Sequence, residues 1–332
     1  MVLRWPAGFH ATPSDLPHTP YLSPVADPRN PAQLNLWQGW FSRHFLLAGY
    51  DAAANNFTFG RGGFQGAEGM DDGNPMSIEN VFEELDSVGE WFHDVVAEKL
   101  YVWYNATVGT PPPSNGSLSA TQTQVLFNAT GTQAAPVVNV SFLGLGFRDT
   151  AMTLFEPHGH PSSGDWAIQR TAALFFEGTV GAKVDGCVFE RFDGLGVFFS
   201  GYARNASVTR SEFAWGGETC VALWGYTRGG PIEGVGPDTT GGDQPRGTYI
   251  GYNVFREIGV WQKQSAAVFQ AECGLSLIEH NFIYNGPRAG INFVRTRTES
   301  AAQARPPSPP NPLSLTHYLH VVRRTTARWE AV

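Results

Sequence analysis

Five phenylalanines, Phe147, Phe189, Phe213, Phe255 and Phe282, recur along this 332-residue chain at spacings of 42, 24, 42 and 27 residues. An apolar residue stands five positions before each: Phe142, Val184, Val208, Ile250 and Leu277. After the anchor comes a Gly-rich turn and then a second strand-like run: Gly196-Val197-Phe198-Phe199, Cys220-Val221-Ala222-Leu223, Ala267-Val268-Phe269 and Gly290-Ile291-Asn292-Phe293. A base period near 24, lengthened by insertions at 156–179 and 226–247, accounts for all four spacings. A unit this short cannot bury its own apolar face, so it must stack on copies of itself. The local periodicity is two, the period of strands, not 3.6. Together these features specify a parallel β-helix whose apolar side chains fill the interior.

The rest of the chain divides by composition. Residues 1–34 are Pro- and His-rich without periodicity and read as loop or disordered. Residues 35–104 form the N-terminal part of the β-helix domain. There, 78–85 reads as a short helix, and Gly89-Glu90-Trp91-Phe92 with Leu100-Tyr101-Val102-Trp103-Tyr104 as a β-hairpin. Residues 105–135 hold three Asn-X-Ser/Thr acceptors and the Pro111-Pro112-Pro113 run, and read as a glycosylated surface loop. The coils occupy 136–294, and 295–332 reads as a disordered, aberrant tail. The balance of 22 basic and 30 acidic side chains, net −8, excludes a nucleic-acid surface. No apolar run approaches a membrane span.

Acceptor sequons occur at Asn56, Asn105, Asn115, Asn128, Asn139 and Asn205, against about two expected by chance, which points to a secreted or extracellular glycoprotein. No signal peptide is visible, so the true N-terminus is expected to lie outside this sequence. Cys187, Cys220 and Cys273 make neither a disulfide framework nor a zinc pattern and read as buried thiols, with one bridge between neighbouring coils left open.

Four segments carry a resemblance. They are Ile78-Glu79-Asn80-Val81-Phe82-Glu83-Glu84-Leu85-Asp86 through Gly89-Glu90-Trp91 to Leu100-Tyr101; Gly164-Asp165-Trp166-Ala167; Trp224-Gly225-Tyr226-Thr227 with Gly242-Asp243-Gln244-Pro245-Arg246; and Gly286-Pro287-Arg288-Ala289-Gly290-Ile291-Asn292-Phe293. In this order they resemble a large family of right-handed parallel β-helix proteins, glycoside-hydrolase-like or pectate-lyase-like. The resemblance implies an all-β, right-handed solenoid with long loop insertions and a hairpin-containing N-terminal region, acting on carbohydrate. In relatives the last strand continues into an Asp-Gly-Phe-Gly turn and further coils. Here Phe293 is followed by Val294-Arg295-Thr296-Arg297, and six of the 19 arginines lie between Arg295 and Arg328. A C-terminally truncated product is therefore expected.

Glycoside hydrolysis needs two carboxyl groups across the scissile bond. Asp193, four residues after Phe189, and Glu218, five after Phe213, occupy near-equivalent places on adjacent coils. Bracing of turns is the alternative role for both. Lys263, Gln264, Gln270 and Glu272 form a second cluster where the coil pattern breaks, and Lys263 and Glu272 join the catalytic candidates. Asp243, Gln244 and Arg246, in the long loop after Trp224, are candidates to wall a cleft. There an arginine can clamp a uronate and a tryptophan can stack on a sugar. Arg288 and Asn292 face the same groove in this reading. His158, His160 and Asp165 lack a third ligand of defined spacing, so neither metal nor other cofactor is expected. Gly60-Arg61-Gly62-Gly63 reads as a turn.

The expected function is that of a secreted, monomeric, glycosidase-like protein acting on a polysaccharide, inactive if truncated. The alternatives are a non-catalytic glycan-binding or structural surface protein, and a polysaccharide lyase using Lys263 or Arg288 as base.

Overall fold

The computed structural model describes residues 8–10, 31–38, 40–51, 53–54, 56–65, 75–104, 120–161, 166–229 and 238–294. The expectations for Asn105, Asn115, Asp165 and the 295–332 tail lie outside them. The described residues are almost entirely strand, turn and loop, and most of the strands pair in parallel.

Each repeat unit contributes one strand to each of three parallel sheets. The first sheet runs β10 (Ser141–Leu143), β13 (Lys183–Asp185), β16 (Ser207–Thr209), β19 (Tyr249–Gly251) and β22 (Leu277–Glu279). The second runs β11 (Gly146–Thr150), β14 (Val188–Phe192), β17 (Glu212–Gly216), β20 (Val254–Ile258) and β23 (Phe282–Tyr284). The third runs β8 (Phe127–Thr130), β12 (Leu174–Val180), β15 (Val197–Arg204), β18 (Val221–Trp224), β21 (Ala266–Ala271) and β24 (Ala289–Val294), with β9 (Val137–Val138) also on β12.

Registers explain the repeat. Phe147, Phe189, Phe213 and Phe255 are paired partners in successive strands of the second sheet. Their rings stack at 5.0, 4.4 and 5.0 Å, close to the ~4.8 Å spacing of paired strands. Phe176 and Phe199 repeat the device on the third sheet, 5.3 Å apart. One apolar core joins residues of all three sheets.

The chain turns at left-handed positions that recur in every unit. Gly144, Gly186, Arg210, Tyr252 and His280 follow the first-sheet strands, and Asp149, Arg191, Trp215 and Glu257 sit two residues past Phe147, Phe189, Phe213 and Phe255, as Asn285 does past Ile283, all with positive φ. Asn139, Gly181, Asn205, Gly247 and Leu275 precede the first-sheet strands in the same conformation. Two positions before Phe213, Phe255 and Ile283, respectively, Ser211, Asn253 and Asn281 form a polar ladder. The Ser211 N–H donates to Asn253 Oδ1 (3.0 Å), and the Asn253 N–H donates to Asn281 Oδ1 (3.0 Å).

The structure departs from the expected pattern in four places. In the last coil the partner of Phe255 is Ile283, and that of Ile250 is Ile278. Phe282 and Leu277 therefore face outward, Phe282 with 66% exposure, because a one-residue slip in a strand reverses every side chain. Part of the expected 156–179 insertion is β12, in register with β15, so the insertion begins and ends earlier, at 151–173. The expected helix at 78–85 is a strand, Met76–Glu79, and one 3-10 turn, Phe82–Glu84. Finally, strands reach into two segments read as loop. Gly8–His10 pairs with Asn56–Thr58, and β8 already belongs to the third sheet.

The N-terminal strands form an antiparallel sheet of β1 (Gly8–His10), β4 (Asn56–Gly62), β3 (Phe41–Asp51), β2 (Gln33–Gln38) and β5 (Met76–Glu79). The 60–63 segment is the end of β4 and not a turn alone. A Cβ at Gly62 would stand 2.2 Å from the His44 carbonyl oxygen, so only glycine permits this crossing. The expected hairpin is present as β6 (Trp91–Asp94) and β7 (Lys99–Val102). Cys187 and Cys220 are buried free thiols, and Cys273 is a half-buried one.

The stack makes a sharp prediction. Phe213→Ala, at the centre of the ring ladder, is expected to cost about 3–5 kcal/mol in urea unfolding. Phe282→Ala, which the 27-residue spacing had marked as equivalent, should stay within about 0.5 kcal/mol of the parent. Equal losses would overturn the register.

Candidate functional site

From β12 to β21 the third sheet is buried on both faces. Its outward row, Phe175, Phe198, Ala222, Phe269 and Ala271, packs against Trp166, Ile168 and Ala172 of the 151–173 insertion. The candidate residues divide between the two edges of this covered sheet.

The edge where the chain passes from the second sheet to the third carries Asp193, Glu218, Lys263 and Arg288 in successive turns. The turns are stacked by backbone bonds, with the Gly217 N–H donating to Phe192 O (2.7 Å) and the Gln262 N–H to Gly217 O (3.0 Å). Asp193 is half-buried, and its Oδ1 accepts from the Trp261 indole N–H at 3.0 Å. Burial pushes its carboxyl above the usual range, with the indole bond opposing. Glu218 is 3% exposed, and its Oε1 accepts from Gln169 Nε2 (2.6 Å) and Thr153 Oγ1 (3.2 Å) of the insertion. Burial raises its pKa to about 7. A Cβ built at Gly217 would lie 2.7 Å from Trp261 Cδ1 and 2.8 Å from the Asp193 carbonyl carbon, so both carboxylate-bearing turns crowd the same indole.

The N-terminal sheet docks on this edge. Ser42 Oγ donates to Trp261 O (3.0 Å) and accepts from the Lys263 N–H (3.2 Å). The His44 ring links Asn35 on one nitrogen and Trp261 O (3.1 Å) on the other. Burial lowers its pKa to about 4, so it is neutral at physiological pH. Lys263 Nζ donates to Gly259 O (3.2 Å) and Val260 O (2.7 Å) and lies 5.0 Å from the Trp37 ring centre. The Arg288 guanidinium carbon is 4.8 Å from the Trp166 ring centre and 5.7 Å from that of Trp40.

The opposite edge, from the third sheet to the first, carries Asp243, Gln244, Arg246 and Glu272. Asp243 pairs with Arg228 at 3.2 Å. Gln244 is buried, with Nε2 donating to Tyr226 O (2.7 Å). Arg246 is exposed and anchors the loop through its backbone, its N–H on Ala203 O (2.9 Å). The cluster expected from the run 263–272 is thus dispersed. Lys263 and Gln264 precede β21, Glu272 follows it on the other edge, and Gln270 takes the inward register of Leu223. Trp224 was expected to stack on a sugar. It is 3% exposed, covered by Gly159 and by the Arg170 guanidinium 3.7 Å from its ring centre. Asn292 is half-buried in the outward row of β24, in register with Phe269.

Sequence reasoning missed Arg170. It is held between the rings of Trp224 and Tyr226 (3.7 and 3.8 Å) and donates to Ser200 Oγ (2.8 Å), Trp224 O (2.9 Å) and Gly225 O (2.6 Å). Burial lowers its pKa to about 10, with Tyr226, Glu177 and Glu272 opposing. Glu177 Oε2 accepts from Ser200 Oγ (2.5 Å) and Tyr226 OH (3.1 Å). Glu177, Ser200 and Trp224 are register partners, so assigning β12 would have aligned them. His158 is half-buried, its ring stacked 6.0 Å from that of Phe64, and desolvation lowers its pKa to about 4. Among the described residues no three His, Cys, Asp or Glu side chains stand together as a metal site.

No protein-family model and no curated protein matches the sequence. A solved structure described as a glycoside hydrolase superimposes on 82% of the chain with a TM-score of 0.62 at 16% identity. The chain spans about half, 53%, of that structure's length. At this identity the likeness is one of fold, with stacked parallel sheets in common. No helix among the described residues is long and apolar enough to cross a membrane.

The buried Glu218 gives a pH prediction. A carboxyl whose folded pKa lies above its unfolded value contributes a destabilisation that grows as pH rises from 4.5 toward 7, because the native state keeps a proton the unfolded chain has lost. Glu218→Gln should therefore match the parent near pH 4.5 and exceed it by roughly 3 kcal/mol at pH 8 in urea unfolding. An unchanged gap across this range would show that Glu218 titrates normally.

Proposed function

We propose that this chain is the right-handed parallel β-helix body of a secreted, glycosylated, carbohydrate-active protein. In this reading a polysaccharide lies along the edge formed by Asp193, Trp261, Lys263 and Arg288. The observation that carries it is the pair of carboxyl groups, Asp193 and Glu218, supplied to one edge by adjacent coils and both pushed upward by burial. Hydrolysis of a glycosidic bond uses one protonated and one ionised carboxyl. Glu218, with a pKa of about 7, is the acid, and the more open Asp193 is the nucleophile or base. Trp261 acts through Asp193, orienting it by the indole bond.

A specific observation favours a second reading, non-catalytic glycan binding. The Glu218 carboxyl is enclosed by Thr153 and Gln169 and so reaches the glycan only if the insertion moves. A lyase role would take Lys263 as the base; burial lowers its pKa, which favours that role, but its Nζ is already engaged with the Gly259 and Val260 carbonyl oxygens, which opposes it. The likeness to a glycoside hydrolase supports the carbohydrate link through fold.

The test is a panel of polysaccharides assayed for new reducing ends and for unsaturated uronate absorbance. Reducing ends are expected, and Asp193→Asn and Glu218→Gln should each lower their release about a hundredfold or more with folding retained. Retained binding without product would establish the second reading. Expression in a eukaryotic secretory host should give a ladder that collapses on endoglycosidase treatment, with Asn128, Asn139 and Asn205, all exposed, among the modified sites.

A further inference from the structure

We propose that the edge where the N-terminal sheet meets the last two coils is a subsite for an anionic glycan, one bearing carboxylate or sulfate groups. Its axis would run along the stack, so that neighbouring sugar residues meet Lys263 and Arg288. This deepens the function proposed above and rests on it, because it places the same polysaccharide further along the same edge.

Trp37 and Trp40 flank the turn between β2 and β3 and are 42% and 51% exposed. Each has a cation beside its ring, Lys263 at 5.0 Å and Arg288 at 5.7 Å. An indole face receives the C–H face of a pyranose, and a guanidinium binds a planar oxyanion through two N–H groups. Lys263 uses two of its three ammonium protons on Gly259 O and Val260 O, which leaves one for a ligand oxygen.

The spacing sets the direction of the ligand. Lys263 and Arg288 lie in the turns that lead into β21 and β24, and those strands pair with Ala266 opposite Ala289. The two turns are therefore consecutive, about one ~4.8 Å strand spacing apart along the stack. One pyranose residue in an extended glycan covers a similar length. Charges on adjacent sugars can then meet cations on adjacent coils.

Titration calorimetry of the whole chain with three oligosaccharides of equal length tests this. The probes are an oligogalacturonate, its carboxyl-reduced neutral counterpart and a sulfated galactan fragment. The oligogalacturonate should bind about tenfold or more tightly than its reduced counterpart. Comparable binding of the sulfated fragment would make the site a general oxyanion subsite, and weak binding would restrict it to carboxylates. Lys263→Gln and Arg288→Gln should each remove most of the charge preference. Trp37→Ala should weaken charged and neutral probes together. Equal affinity of wild type for the charged and reduced probes overturns the proposal without needing any variant to fold, as does full preference in a folded Lys263→Gln, Arg288→Gln double variant. Release of reducing ends from neutral polymers with no charge preference would sink this subsite and leave hydrolysis standing. Charge-selective binding without any product would do the reverse.

Discussion

The structure depends on register between coils. Phe189, Phe213 and Phe255 meet ring to ring only because their strands pair residue for residue, and a slip by one would send each ring to solvent. The ladder of Ser211, Asn253 and Asn281 fixes the same register by a different force. Buried side-chain oxygens accept backbone N–H groups of the neighbouring coil, which would otherwise lie unpaired in the interior. Apolar stacking and polar satisfaction thus select one alignment.

That alignment concentrates chemistry at the edges. Within the sheets, inward residues form the core, and the third sheet's outward residues are buried again beneath the insertion. On that covered sheet, polar side chains able to meet a ligand are left to the turns at its edges, whereas the second sheet presents an exposed charged face that includes Glu190, Arg191 and Glu212. On one edge these turns bring together residues far apart in sequence, with Asp193, Glu218, Lys263 and Arg288 each coming from a different coil. On the other edge Arg170 ties the insertion to Ser200, Trp224 and Gly225. A buried guanidinium needs such partners, since unpaired burial of its charge would cost several kcal/mol.

The repeat was legible because stacking demands it. Successive units that pair in register return an aromatic to the same place, and Phe147 through Phe255 carry that signature without interruption. The last coil misled because Phe282 and Ile283 are both apolar, as are Leu277 and Ile278, and spacing cannot distinguish neighbours when only one faces inward. The strand Leu174–Val180 was hidden in an insertion estimated from spacing alone. With it went the alignment of Glu177 with Ser200 and Trp224. Clusters read along the chain, such as 263–272, dissolved for a related reason. Here proximity runs across units of 24 to 42 residues, and the six residues of β21 separate opposite edges. Asp193 and Glu218 share one edge because they follow matching strands of the second sheet, β14 and β17.

The same geometry bears on the sequons. Asn139 and Asn205 both occupy the left-handed position before a first-sheet strand, where Gly181 and Gly247 stand in other coils. Asparagine is one of the few side-chain-bearing residues that tolerates this conformation readily. The side-chain oxygens of Asn139 and Asn205 lie 2.6 Å from where a Cβ would stand at Gly181 and Gly247 respectively, so an asparagine on one coil requires glycine on the next. Two of the six sequons therefore have a backbone reason to be asparagine, independent of any glycan. The statistical case for secretion then leans on Asn56, Asn105, Asn115 and Asn128. Asn139 and Asn205 also follow the third sheet's exit edge, opposite the edge bearing Asp193 and Lys263. Glycans attached there would stand clear of the proposed binding edge, which is where a carbohydrate-active protein must place them if its own sugars are not to compete with its ligand.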